Sequence, residues 1–136
     1  MAFQLSQREL KRVADLAYNG RAYEVFLANN NGSPALTGED TYAAWQAVEL
    51  ATANGYAPVT GTITSGSGAW DNTDGRYEFP SITATFTASI GGAGLAYDTV
   101  CVRIGTETYL CATREEAVIL APGQAQSYVL VLGADD

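Results

Sequence analysis

Between Arg76 and Leu132 the chain runs as short segments in which apolar and polar positions alternate, parted by turn residues. The segments are 76–79, 82–89, 97–104, 107–113, 118–120 and 125–132. They are rich in Val, Ile, Thr, Tyr and Phe, which suit a pleated, half-buried surface. Strands this short and this regularly spaced predict an antiparallel β-sandwich of about eight strands, jelly-roll or Ig-like in type. Gly105-Thr106 predicts a tight hairpin between Ile104 and Glu107, and Ala121-Pro122-Gly123-Gln124 predicts a type II turn.

The first residues break this pattern. Leu10, Val13, Ala14 and Ala17 recur at helical spacing. Ser6-Gln7-Arg8-Glu9 reads as a capping box in which Ser6 accepts from the Glu9 N–H and the Glu9 carboxylate reaches back, with Leu5 and Leu10 as a hydrophobic staple. Asn19-Gly20 ends the run, so a helix is expected over 7–18. Tyr23–Leu27 reads as the first strand, and 29–38 as a surface loop. Residues 40–53 admit two readings, a short helix capped by Asp40 that carries Ala43, Ala44 and Ala47, or a strand over 45–50; a brief helical turn followed by a strand near 46–51 is favoured. Asn54-Gly55 is a two-residue hairpin signal, a strand follows over 56–64, and 66–75 is a loop that holds Trp70. The whole of 1–136 reads as one domain, a helix at 7–18 followed by a sandwich over 22–133.

Charge changes the picture in two ways. The net formal charge of −8 argues against nucleic-acid binding, which needs a basic footprint. The charge is also divided: residues 1–21 carry Arg8, Lys11, Arg12 and Arg21 against Glu9 and Asp15, while the remainder carries three cations and thirteen carboxylates. The plain reading is a solvated helix face; the sharper one is a basic docking element for an acidic partner or a sister subunit. No apolar run approaches the ~20 residues that span a bilayer. The opening Met-Ala-Phe-Gln-Leu lacks the basic and apolar regions of a secretory signal, so a chain made and kept in the cytoplasm is expected.

Candidate chemistry is sparse. The absence of histidine removes Ser-His-Asp and Cys-His arrangements and the commonest zinc ligand. Cys101 and Cys111 are expected as neighbours across a hairpin, either as two buried thiols or as a cross-strand disulfide formed on lysis. Two thiolates alone do not complete a tetrahedral metal shell. Asp71-Asn-Thr-Asp74-Gly75 lacks the ligand spacing and the bidentate Glu of a calcium loop, and suits a tight turn. Asp71, Asp74 and Glu116 are the carboxylates a small carbohydrate-active enzyme would use, a reading ranked last. The plain reading of the Trp and Tyr residues is that they bury their rings and pair their polar tips; Trp70, in a glycine-rich stretch, is the one that most invites the sharper reading of an exposed, adhesive contact. No cofactor is expected.

The order of the motifs adds a resemblance. Leu5-Ser-Gln-Arg-Glu-Leu10 with Ala17-Tyr-Asn-Gly20 comes first, then Trp45-Gln-Ala-Val-Glu-Leu50 and Asn54-Gly-Tyr56. Asp74-Gly-Arg-Tyr-Glu78, Phe86-Thr-Ala88, Tyr97-Asp98 and Leu120-Ala-Pro-Gly-Gln-Ala-Gln-Ser-Tyr128 follow, before Asp135-Asp136. Over nearly the whole chain this resembles small virion structural proteins of tailed bacteriophages, particularly those infecting cyanobacteria. The resemblance implies a non-enzymatic part of the particle, assembled in the host cytoplasm. Its expected place is as a capsid decoration (cement or knob) protein on the major capsid protein, or as a tail fibre or adaptor on tail proteins or host glycans. Neither membrane nor nucleic acid is an expected partner, and a homo-oligomer fits both placements.

Overall fold

A computed structural model describes residues 5–31, 35–73 and 75–135. Among these residues, two helices and nine strands follow in the order α1 (Gln7–Tyr18), β1 (Ala22–Ala28), α2 (Tyr42–Gln46), β2 (Val59–Thr62), β3 (Ala69–Asp71), β4 (Arg76–Glu78), β5 (Ile82–Thr87), β6 (Leu95–Ile104), β7 (Ala112–Leu120), β8 (Ala125–Leu130) and β9 (Gly133–Asp135). The protein is mainly β, antiparallel and sandwich-like, with the expected N-terminal helix. The chain forms two compact units, each assembled from separate segments: Met1–Ala22, Thr62–Thr83 and Val129–Asp136 in one, Tyr23–Gly61 and Ala84–Tyr128 in the other.

In the first unit α1 packs against β4 and β9 of a three-stranded antiparallel sheet ordered β3-β4-β9. The helix starts where the Ser6 hydroxyl accepts from the Glu9 N–H (3.2 Å). It stops at Gly20, whose φ of +71° suits glycine. The Glu9 carboxylate does not reach back to the cap; it pairs with Arg12, so only half of the capping box forms. The buried stripe is narrower than the spacing implies. Leu10 and Ala14 are buried, whereas Val13 and Leu16 are exposed, as is Leu5. Tyr18 and Tyr77 both meet the ring of Phe79 edge-on, 5.9 and 6.0 Å between centroids.

In the second unit a four-stranded sheet runs β2-β1-β6-β7. Tyr23 pairs with Ile104 and Ala28 with Thr99 at the two ends of the β1–β6 ladder. Val25, Phe26, Leu27, Val100, Cys101 and Val102 are all buried, which accounts for the near-continuous apolar runs in β1 and β6. Residues of the β5–β8 pair close over one face: Phe86 and Tyr97 both pack on Tyr128, each 6.4 Å between centroids, and the Tyr97 and Tyr128 hydroxyls lie 2.6 Å apart. This interleaving of two sheets is the sandwich. A separate cluster gathers Phe26, Ala28, Trp45 and Cys101 under α2.

Several local expectations are corrected. Thr41, not Asp40, caps α2, its hydroxyl accepting from the Ala44 N–H (3.2 Å). Residues 46–51 form no strand; an isolated bridge joins Glu49 to Ala28. Asn54 and Gly55 take the positive φ values of the expected turn (57° and 88°), yet no strand precedes them. The strand expected over 56–64 shrinks to β2. Residues 107–111 stay outside the ladder, and β7 runs unbroken through the acidic stretch 115–116. Cys101 therefore faces Thr113 rather than Cys111. Cys101 is buried, Cys111 is exposed, and the two form no disulfide. Trp70 sits on β3 instead of in a loop. No helix among the described residues is long and apolar enough to cross a membrane.

Candidate functional site

Two polar groupings stand out in the second unit. The first arises from a break in the β6–β7 ladder. Thr99 pairs with Glu115 and Tyr97 with Val118, so one residue of β6 between them faces two of β7. This is a β-bulge, a feature that re-aims side chains and recurs beside functional sites. Glu116 and Ala117 are the two residues opposite Asp98. An open cleft of about 390 Å³ lies here, lined by Asn30, Asp98, Thr99, Glu115, Glu116 and neighbouring alanines. Asp98 is held in place: one oxygen accepts from the Asn30 N–H (2.7 Å) and from the Thr99 hydroxyl (3.0 Å). Glu116 pairs with Arg114 at 3.4 Å. Glu115 is exposed and has no partner among the described residues. Such a cleft favours a cationic group. Among the described residues, no group of three or more Cys, Asp or Glu is arranged to hold a metal ion.

The second grouping is a phenol–carboxylate network at the edge of β1. The Leu27 carbonyl accepts from the Leu50 N–H (3.0 Å), and its own N–H donates to the Tyr56 hydroxyl (3.2 Å). Tyr56 thus closes a gap in the backbone ladder, and its hydroxyl donates in turn to Glu49. Tyr42 donates to Glu24 (3.0 Å), and the Arg103 guanidinium lies 3.7 Å above the Tyr42 ring. Burial pushes the Glu49 carboxyl above its ordinary value; the Tyr56 hydrogen bond opposes this, and the Glu24 charge adds to it. Burial also raises the Tyr56 and Tyr42 phenols, assisted by the adjacent carboxylates. The Cys101 thiol is pushed up to about 12, chiefly by burial, which leaves it unreactive as a nucleophile. The network satisfies polar groups in and around β1.

The residues singled out from the sequence fall elsewhere. Arg8, Lys11 and Arg12 lie exposed on α1, and Arg21 follows the helix. Lys11 pairs with Asp15 at 2.6 Å and Arg12 with Glu9, so much of this charge is neutralised within the helix. Trp70 is half-buried, directly across from Tyr77 in the β3–β4 pair, between the plain buried reading and the exposed one. Asp71 serves a turn, accepting from the Thr73 N–H (2.8 Å) through its side chain. Asp74 lies outside the described residues. Asp71 and Glu116 belong to different units. Sequence reasoning missed the cleft. Its one visible signal was the run Arg114-Glu115-Glu116, three charges in succession where a half-buried strand should alternate. No family model, no curated protein and no solved structure matches the chain.

Proposed function

We propose that this chain is a non-enzymatic structural protein of a phage particle, a capsid decoration protein bound to the outside of the shell. The observation that carries the reading is β7, a nine-residue strand at the end of its sheet that exposes Ile119 and Glu115. Edge strands offer backbone donors and acceptors to a partner chain. The run Arg114-Glu115-Glu116 hinders indiscriminate pairing on this edge and leaves room for a partner of matching charge. The order of motifs that resembles small virion proteins, together with an antiparallel β body, supports the same assignment.

The test is co-sedimentation of the purified chain with phage shells of the same source from which it has been stripped. Saturable binding at a fixed ratio to the major capsid protein supports decoration. Binding to isolated tails and not to shells would shift the assignment to a tail fibre or adaptor module. Binding to neither would end the particle reading.

A further inference from the structure

We infer that two copies of this chain pair through the outer face of α1, the two helices lying antiparallel about a two-fold axis. The face follows from the helical repeat. Leu10 and Ala14 are buried and mark the side of α1 that packs on β4 and β9. Successive residues turn by about 100°, so Glu9, Arg12 and Leu16 share an arc of about 60°, centred roughly 150° away from that buried side. Leu16 is 62% exposed, and the Arg12 and Glu9 side chains are 60% and 37% exposed. Their spacing, three residues and then four, is the seam repeat by which two helices pack against each other.

The order of the charges selects the occupant. Glu9 precedes Arg12 along the seam, and the two already pair within the helix. A uniformly acidic partner would oppose Glu9, and a uniformly basic one would oppose Arg12. The same seam read backwards presents Arg12 where Glu9 stands. A second copy laid antiparallel therefore sets Glu9 against Arg12 and Arg12 against Glu9, and the pairs within and between helices join into one square of alternating charges. Laid parallel, each charge would meet its like. In the antiparallel register Leu16 of each copy lies about 8 Å along the helix from the two-fold axis and flanks the square at either end. One patch serves both copies, so the contact is isologous and closes at two. Twelve helical residues span about 18 Å, a small contact, so the pairing belongs to the weak, transient class. It uses no residue of β7 and does not rest on the particle reading, since the purified chain alone displays it.

Sedimentation velocity on the purified chain, with Glu9→Arg and Arg12→Glu variants, tests it. Circular dichroism checks that each variant folds. The wild type is expected to dimerise as its concentration is raised towards about 1 mM, and less so as salt is raised from about 50 to 500 mM. Each single variant sets like charges against each other and should dimerise at least about tenfold more weakly. In an equimolar mixture of the two, one copy carries two cations and the other two carboxylates, so every pair is opposite again and wild-type association should return. The double exchange Glu9→Arg with Arg12→Glu reverses the seam, keeps its complement and should dimerise as the wild type does. Loss of the pair within the helix would not be mended by mixing, which separates a helix effect from a contact between copies. A wild type that stays monomeric at about 1 mM, single variants that dimerise as the wild type does, or a mixture that fails to recover would each overturn the inference.

Discussion

Replacing Tyr56 by Phe removes one oxygen and leaves the ring, which stacks on Phe86 at 6.1 Å between centroids. The hydroxyl serves two groups: it accepts from the Leu27 N–H and donates to Glu49. Leu27 is 0% exposed, so its amide finds no water when the hydroxyl goes. An orphaned buried donor costs about 1–3 kcal/mol. Glu49 is only partly buried and recovers some hydration, so its loss adds less than a full charge-assisted bond. The expected destabilisation is about 2 kcal/mol, a fall in Tm of roughly 6–10 °C for a chain of this size. Urea unfolding measures the first figure, with an unchanged m-value confirming that the native fold persists. Hydrogen exchange at the Leu27 amide reads the same event locally and should accelerate roughly thirtyfold. A destabilisation below about 0.5 kcal/mol with Leu27 still protected would show that the hydroxyl does not close the ladder.

Glu49→Gln keeps an acceptor for Tyr56 and removes the charge. Because burial raises the folded carboxyl above the unfolded value of 4.5, Glu49 favours the fold below that value and loses this contribution as pH rises through its folded pKa. The variant should therefore show a flatter stability profile from pH 4.5 upward, and an unchanged slope in urea titrations at several pH values would count against the assignment. Leu10→Ala empties a site that is 2% exposed beneath α1 and should cost about 2–5 kcal/mol by urea unfolding; a cost under about 1 kcal/mol would mean that the helix is not anchored there. With a disulfide-exchange reagent under native conditions, Cys111 should react promptly and Cys101 only on unfolding; two fast thiols would contradict the burial of Cys101.

The elements legible in the sequence were those whose signals are local. α1 has its cap, its spacing and its terminal glycine within a few residues of one another. β1, β5, β6 and β8 alternate or run apolar over their own length, and Gly123, with φ of +86°, turns the chain where Pro122-Gly123 implied. What escaped depended on contacts between distant segments. Residues 46–51 have a strand-like composition, but Tyr56 takes the Leu27 N–H that a neighbouring strand would use, so pairing stops at the Glu49 bridge. Trp70 looked like a loop residue until β4 supplied a partner for β3. The cysteine pair failed because the turn at Gly105-Thr106 runs on into residues 107–111, which shifts the return strand and sets Cys101 opposite Thr113. The cleft needs Asn30 from one loop, Asp98 from β6 and a bulge in β7, and no single stretch of sequence contains that arrangement.

The proposal that this chain decorates a phage shell is tested most directly by a cryo-electron microscopy map of phage particles assembled with it and without it. The account predicts density for a mainly β body with one twelve-residue helix and one short helical turn, standing on the outer surface of the shell at regular lattice positions. Density confined to the tail, or a shell that carries no such body, would contradict it.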